Sequence, residues 1–200
     1  DDDVLRKVES NNSEGDRMIQ ELDSHGRITK LTNLTTNAVT TFNYDDSAKR
    51  YAVTSGTTIQ TLAYGPDTQP GTGDDLIMKA EFIDSTGDHV IQEFCSGGAS
   101  ADSCGGDASG RVSKITNVTK NTTTTFAYDD SAKKFTVTSG TTKQTLSYGA
   151  DNQPGTADDV LVSAQLVNQE GDSITQELDS AGRVTKITNA AKNTVTVFTY

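Results

Sequence analysis

Internal repetition is the sequence feature that most constrains how this chain can fold. The dipeptide Gly15-Asp16 returns at Gly87-Asp88 and again at Gly171-Asp172, at spacings of 72 and then 84 residues. Each copy is followed by a similar pattern of alternating apolar residues. A period of this length predicts an array of supersecondary units and points to repeat architecture before it points to an enzyme.

An insertion in one repeat explains why the two spacings differ. Measured from Gly26-Arg27, the spacings come in the opposite order, 84 residues to Gly110-Arg111 and 72 more to Gly182-Arg183. The extra 12 residues therefore lie between Phe94 and Gly110. The sequence then divides into four segments: the end of a repeat at 1–14, a full repeat at 15–86, a full repeat with the insertion at 87–170, and the start of a repeat at 171–200.

Apolar residues alternate with polar residues within each repeat, and this period of two predicts β-strands. Polar turns such as Asp-Asp-Ser-Ala and Ser-Gly-Thr separate the runs, which favours consecutive antiparallel hairpins. We predict an all-β fold in which tandem units of short antiparallel hairpins form an elongated β-sandwich or a solenoid-like array. Two separate small β-domains joined end to end are the alternative. The six predicted strands of the first repeat carry Met18 and Leu22, Ile28 to Asn33, Phe42 and Tyr44, Tyr51 and Val53, Leu62 and Tyr64, and Leu76 to Ile83.

The turn sequences resemble those of the bacterial RHS/YD-repeat family, whose motif is Tyr-Asp-x-x-Gly-Arg before a strand. The Gly-Arg half occurs in residues 22–27 (Leu-Asp-Ser-His-Gly-Arg), 107–111 (Asp-Ala-Ser-Gly-Arg) and 178–183 (Leu-Asp-Ser-Ala-Gly-Arg), and the Tyr-Asp half at Tyr44-Asp45 and Tyr128-Asp129. The resemblance implies a secreted or surface-exposed bacterial protein whose repeats are scaffold. It covers the hairpin turns across most of the chain.

Charge and hydropathy exclude several classes of partner. With 28 acidic and 17 basic residues the net charge is −11, which argues against nucleic acid and against an anionic membrane surface. No run approaches the roughly 18 apolar residues of a membrane-spanning helix, so we expect no membrane insertion. An acidic chain of this kind is compatible with divalent cations.

An aspartate-rich loop that occurs twice is the strongest chemical candidate. Residues 65–75 read Gly-Pro-Asp-Thr-Gln-Pro-Gly-Thr-Gly-Asp-Asp and return in similar form at 149–159. Carboxylate, amide and hydroxyl oxygens are the ligands that calcium takes, although the spacing does not fit an EF-hand. The alternative is a solvated turn in which the aspartates cap backbone amides. The candidate calcium ligands are Asp67, Asp74, Asp75, Asp151, Asp158 and Asp159.

The two cysteines both fall near the insertion. Cys95 and Cys104 enclose a Gly/Ser-rich stretch, and a local disulfide is the natural interpretation, with free thiols as the alternative. His89 is the only histidine nearby in sequence, so a zinc site lacks ligands.

These observations predict a non-enzymatic structural subunit of an extracellular filament or surface array, whose partners are copies of itself arranged head to tail. The turn residues Asp23, Ser24 and His25 do not recur as a set in the other repeats, which argues against a catalytic role for them. The alternative function is an adhesin or stalk module of a longer YD-repeat-like surface protein, with a surface glycan as its candidate ligand. The predicted assembly residues, on the first and last strands, are Val4, Leu5, Val8, Val195, Val197, Phe198 and Tyr200.

Overall fold

The computed structural model describes residues 6–95 and 110–200, and every regular element in these ranges is a β-strand. The chain divides into two compact units, Asp1–Ser96 and Gly97–Tyr200. The division falls in the stretch where the sequence places the insertion.

Eight strands are described in the first unit, and two of them coincide with the predicted runs Ile28 to Asn33 and Leu76 to Ile83, whereas Tyr64, predicted to lie on the fifth strand of the repeat, directly follows that strand. They are β1 (Lys7–Asn11), β2 (Arg17–Leu22), β3 (Ile28–Asn33), β4 (Val39–Asp45), β5 (Arg50–Ser55), β6 (Thr58–Ala63), β7 (Leu76–Ile83) and β8 (His89–Phe94).

The described part of the second unit also contains eight strands. They are β9 (Val112–Asn117), β10 (Thr122–Asp129), β11 (Lys134–Ser139), β12 (Thr142–Ser147), β13 (Val160–Val167), β14 (Ser173–Leu178), β15 (Val184–Asn189) and β16 (Thr194–Val197). Strands β2 to β7 and β8 to β13 are the two copies of the six-strand repeat, and β14 to β16 repeat its first half.

Within each unit, every strand pairs antiparallel with the strand that follows it in sequence. The contacts between elements of a unit likewise join sequence neighbours, so each unit is a single-layered meander. The prediction of an all-β chain built from antiparallel hairpins is confirmed.

The strand register carries the alternating apolar residues onto one face of each sheet. Phe42 lies opposite Val53, and Tyr44 lies opposite Tyr51. The next pair along the row is Tyr51 with Leu62. Directly opposite side chains on one face are close enough to pack, and such pairs stabilise a sheet by about 0.2–1 kcal/mol each. This row adds side-chain packing to the backbone hydrogen bonds of a one-layered sheet.

The core is thin and largely aromatic. No large side chain of the described residues is less than 2 % exposed. The apolar side chains that are at most 9 % exposed are Tyr51, Tyr64, Ala80, Val90, Cys95, Phe135 and Tyr148. Four of these seven are aromatic, and they belong to equivalent positions of the two repeats. The most buried part of each repeat therefore lies around its fourth and fifth strands.

Candidate functional site

The hairpin turn that ends at Arg27 is built by Asp23. Its Oδ1 accepts hydrogen bonds from the backbone N–H groups of His25 and Arg27, both at 2.9 Å. Its Oδ2 accepts from Arg27 Nε at 2.8 Å. Gly26 takes a φ of 80°, a left-handed conformation that favours glycine. The Asp-x-x-Gly-Arg pattern therefore folds into a turn that delivers the arginine side chain in a fixed direction.

Arg27 is the centre of a cluster that joins three hairpins of the first unit. Its guanidinium carbon lies 4.2 Å from the ring centroid of Tyr44, and its Nη1 donates to Asp46 Oδ1 at 2.7 Å. The same Asp46 oxygen accepts from the Tyr64 hydroxyl at 2.8 Å. Tyr51 stacks on Tyr44 with ring centroids 5.7 Å apart. We call this arrangement the Arg–Tyr cluster.

The second unit contains the same cluster. Arg111 lies 5.1 Å from the ring centroid of Tyr128 and donates to both oxygens of Asp130, at 2.8 and 3.0 Å. The Tyr148 hydroxyl donates to Asp130 at 2.8 Å. Phe135 replaces the second tyrosine and stacks on Tyr128 at 6.0 Å.

A third arginine, Arg183, forms only the first half of the cluster. It lies 4.8 Å from the ring centroid of Tyr200 and pairs with Asp179 at 2.8 Å. The Tyr200 hydroxyl donates to the backbone oxygen of Val184 at 2.9 Å, as Tyr44 donates to Ile28. The Arg183 side chain is 55 % exposed, against 22 % for Arg27 and 28 % for Arg111.

The clusters shift the pKa values of their members. A hydrogen bond from Arg27, followed in size by one from Tyr64, lowers the pKa of Asp46. Burial opposes ionisation of Asp130, but hydrogen bonds from Tyr148 and Arg111 outweigh it and lower its pKa. Burial, assisted by the hydrogen bond to the neighbouring aspartate, raises the pKa of Tyr64 and of Tyr148 to about 12. At neutral pH each cluster therefore pairs a carboxylate with protonated tyrosine and arginine.

The sequence reasoning missed the arginines. It assigned the Gly-Arg dipeptides to turns and the tyrosines to strands, without linking them. A signal was present, since 17 residues separate the arginine from its tyrosine in all three copies: Arg27 and Tyr44, Arg111 and Tyr128, Arg183 and Tyr200.

In the aspartate-rich loop of the first unit, the carboxylates accept hydrogen bonds from the loop itself. Asp75 Oδ2 accepts from the backbone of Gly71 at 2.6 Å and of Thr72 at 3.0 Å, and from the Tyr51 hydroxyl at 2.9 Å. Asp74 accepts from Thr72 Oγ1 at 2.6 Å and from the Asp67 backbone at 3.1 Å. The loop thus ties its own backbone to the buried Tyr51.

The loop of the second unit repeats most of these bonds. Asp159 accepts from the backbone of Gly155 at 2.6 Å and of Thr156 at 2.9 Å. Asp158 accepts from Thr156 Oγ1 at 2.6 Å and from the Asp151 backbone at 3.2 Å. In the part of the chain that the structure describes, no group of three or more His, Cys, Asp or Glu side chains is arranged to hold a metal ion. Calcium binding by the six aspartates stays a prediction.

Only one member of the predicted disulfide is described. Cys95 directly follows β8 and is 3 % exposed. Cys104 lies outside the described residues, so the pairing of the two cysteines stays a prediction.

Five of the seven predicted assembly residues are described, one on β1 and four on β16 or after it. Val8 lies on β1 opposite Gln20 and is half-buried. Val4 and Leu5 lie outside the described residues. At the other end the side chains are much more exposed: Val195 58 %, Val197 69 %, Phe198 39 % and Tyr200 69 %.

Comparison with known proteins gives only distant likenesses. No family model matches the chain, and no curated protein matches it. Among solved structures, a porin-like protein from Bacteroides uniformis ATCC 8492 shares 13% sequence identity with this chain. The alignment covers 90% of this chain and 86% of the porin-like chain, with a TM-score of 0.28. A TM-score this low does not define a shared fold. The described residues contain no helix that is both long and apolar enough to cross a membrane.

Proposed function

We propose that this protein is a non-enzymatic structural subunit of an extracellular filament or surface array, in which the sheet continues from one subunit to the next through outer strands. The observation that carries the proposal is the single-layered meander, built from one repeated six-strand module. Within a unit each strand contacts only its sequence neighbours, so a further strand can be added at an edge without rearranging the sheet. Extension by another subunit would use the same hydrogen bonds.

The chemistry of β16 supports strand addition at that edge. Residues 194–200 read Thr-Val-Thr-Val-Phe-Thr-Tyr, which are β-branched or aromatic and carry no charge. Among the described residues β16 pairs with β15 alone. Natural proteins protect exposed edges with charged residues, proline or bulges, so an uncharged edge of this composition favours pairing.

The other outer strand is chemically different. Strand β1 carries Lys7 and Glu9, which pair with each other at 3.3 Å, and Arg17 approaches Glu9 at 3.8 Å. The two outer strands thus differ in charge, and head-to-tail contact between β16 of one subunit and β1 of the next is the arrangement that we propose.

A secreted or surface location forms part of the proposal. It is supported by the resemblance of the turns to the RHS/YD repeat and by the predicted disulfide between Cys95 and Cys104. The alternative is an adhesin or stalk module of a longer surface protein. The turn built by Asp23, Gly26 and Arg27 favours that alternative, because it is one of the turns that resemble the YD repeat.

Elongation of the purified 200-residue chain separates the two functions. The filament proposal expects fibres in negative-stain electron micrographs and a sedimentation coefficient that rises with concentration. Replacing Val195 and Val197 with lysine should abolish elongation, because charged side chains on an edge strand oppose pairing. The matched control places lysine at Val39 and Thr41, the equivalent positions on the inner strand β4, and should leave elongation intact. A chain that stays monomeric at all concentrations contradicts the filament proposal and favours the stalk.

A further inference from the structure

Positive charge is concentrated in one stretch of this acidic chain. Residues 110–148 contain six basic residues and two acidic ones, whereas the whole chain carries a net charge of −11. The stretch comprises strands β9 to β12 and the turns between them. The basic residues are Arg111, Lys114, Lys120, Lys133, Lys134 and Lys143. An acidic chain therefore holds a local region in which cations outnumber carboxylates.

Two of these lysines, Lys134 and Lys143, lie on the face of the sheet opposite to the Arg–Tyr cluster. Side chains alternate along a strand, so Lys134 and its neighbour Phe135, a member of the cluster, lie on opposite faces. Thr138 lies four residues after Lys134 on β11, hence on the same face, and Lys143 is its partner on β12. We call this surface of β10 to β12, formed by the two lysines and the threonines between them, the Lys–Thr face.

Threonines fill the Lys–Thr face between the two lysines. Thr125, Thr138 and Lys143 form one row across three strands. Thr136 and Thr145 lie opposite each other in the next row, with their hydroxyl oxygens 3.4 Å apart. Every residue that β10 places on this face is exposed, and no described strand of the unit packs over it. The Lys–Thr face is therefore an open surface of hydroxyl groups and cations.

The two cations of this face are not neutralised by neighbouring carboxylates. Neither Lys134 nor Lys143 forms a salt bridge with a described residue. Asp129 lies opposite Lys134 on β10. Its Oδ1 accepts instead from the Ser131 hydroxyl at 2.6 Å and from the Ala132 backbone at 2.9 Å. Both lysines thus keep their hydrogen-bond donors available to an anion from solution.

The first unit has the same strands without this surface. Ile59 takes the place of Lys143, and Val39 takes the place of Thr123. Arg50, the equivalent of Lys134, lies 3.7 Å from Asp45. The equivalent hairpin of β5 and β6 forms with isoleucine at this position. The fold therefore does not require a lysine there, and Lys143 is available for binding.

We propose that the Lys–Thr face binds a linear acidic polysaccharide. Lys134 and Lys143 pair with its carboxylate or sulfate groups, and the threonine hydroxyls exchange hydrogen bonds with its sugar hydroxyls. The lysines are about 14 Å apart, given the rise along a strand and the spacing between strands. They therefore reach two separate anionic groups of an extended chain. Strands β10 to β12 are not outer strands, so the inference holds whether or not subunits assemble.

The shape and composition of the face favour this partner over others. Small ligands bind in concave pockets, and an open sheet face offers none. Single-stranded nucleic acid binds by stacking its bases on aromatic side chains. The aromatic residues of β10 to β12 are Phe126, Tyr128 and Phe135, and all three lie on the other face. A polymer recognised through charge and hydroxyl groups remains.

Isothermal titration calorimetry of the full chain tests the proposal with defined probes. A heparin oligosaccharide supplies sulfate groups, an oligogalacturonate supplies carboxylates alone, and the tighter of the two identifies the preferred anionic group. Binding should be saturable and should weaken as salt is added. Dextran of similar length is the uncharged control and should not bind. No binding of either acidic probe, or a DNA duplex bound as tightly as the better one, overturns the proposal.

Substitution of the two lysines locates the site. Lys134→Gln combined with Lys143→Gln should weaken binding about tenfold, roughly threefold from each exposed ion pair. The two losses should add, because the side chains are far apart. The matched control combines Lys30→Gln with Arg50→Gln, which changes the net charge equally on the corresponding face of the first unit and should leave affinity unchanged. Equal losses in the two double variants would mean that net charge alone attracts the probe, and would overturn the assignment to the Lys–Thr face.

Discussion

At the scale of single residues, aspartate carboxylates repeatedly accept the hydrogen bonds of backbone N–H groups and of tyrosine hydroxyls in these one-layered sheets. Asp75 shows the solution, because one carboxylate joins the backbone of its own loop to the hydroxyl of the buried Tyr51. Asp46 does the same between Arg27 and Tyr64. Asp75, one of the predicted calcium ligands, and Asp46, in a hairpin turn, thus both link polar segments to the aromatic core.

Gly65 tests the packing of this loop. A β-carbon there would overlap the side chain and the backbone oxygen of Asp74. We expect Gly65→Ala to lower the free energy of unfolding by about 1–3 kcal/mol, the range for overpacking. Gly73→Ala in the same loop is the control, because a β-carbon at Gly73 meets nothing within 4 Å. Equal urea midpoints for the two variants would show that the close approach is unimportant.

Tyr51 and Phe135 occupy equivalent positions of the two repeats, so each can be replaced by the residue that the other repeat carries. Tyr51 donates to Asp75, whereas the equivalent Phe135 has no hydroxyl to donate to Asp159. Tyr51→Phe should cost about 1–3 kcal/mol, because it removes the hydrogen bond that the buried hydroxyl donates to the charged Asp75 carboxylate. Phe135→Tyr should stabilise the chain by supplying that bond. Chemical denaturation of both variants checks the prediction, and a loss of stability in the second variant would contradict it.

At the scale of strands and turns, most of the fold could be read from the sequence. The run from Leu76 to Ile83 and the run from Ile28 to Asn33 were predicted with the bounds that the structure has, because period two and polar turns act locally. The contact between Arg27 and Tyr44 could not be derived this way. It depends on strand register and on the irregularity between Glu21 and Leu22, where the pairing of β2 with β3 shifts.

The aspartate-rich loops show a second limit of sequence reasoning. Oxygen donors in a glycine-containing loop suit both a cation and the backbone N–H groups of a turn, and composition does not distinguish the two. The hydrogen bonds that the aspartates make in the structure depend on the path of the loop backbone relative to Tyr51. The edge residues Val195 and Val197 were correctly placed on the last strand, because strand assignment needs only alternation.

Substitutions at Asp23 test how much its turn contributes to stability. Asp23→Ala removes the acceptor of two backbone N–H groups and should lower stability by about 1–2 kcal/mol, as for loss of a helix cap. Asp23→Asn should cost much less, because asparagine keeps the Oδ1 acceptor. Asn12 and Asn168 occupy the same position in two other turns and accept the same pair of backbone bonds. Thermal melts of the two variants should therefore differ clearly, and coincident melts would contradict this role.

At the scale of the whole molecule, a thin core makes stability depend on the aromatic rows and on the protonation of their hydroxyls. The pKa of Tyr64 and of Tyr148 is raised from 10.0 to about 12. A folded-state pKa above the unfolded value gives stability that is complete below pH 10 and is lost as pH rises towards 12. The lowered pKa values of Asp46 and Asp130 work in the opposite sense, and their contribution is lost as pH falls through the acid range.

Alkaline unfolding measures the tyrosine contribution. The free energy of unfolding of the unmodified chain should fall between pH 10 and 12 more steeply than that of the double variant Tyr64→Phe with Tyr148→Phe. Every other ionisable group is the same in the two proteins, so the difference between the two curves reports the two tyrosine hydroxyls. Parallel curves for the two proteins would show that these hydroxyls do not couple to stability.

The central claim is that subunits join by strand pairing at β16, and amide hydrogen exchange tests it most directly. The N–H of Phe198 donates to the backbone oxygen of Thr185 at 2.9 Å, and antiparallel alternation therefore turns the N–H groups of Val195 and Val197 away from β15. The account predicts that these two amides exchange rapidly in the monomer and become protected in assembled fibres. Fibres in which Val195 and Val197 exchange as rapidly as in the monomer would contradict it.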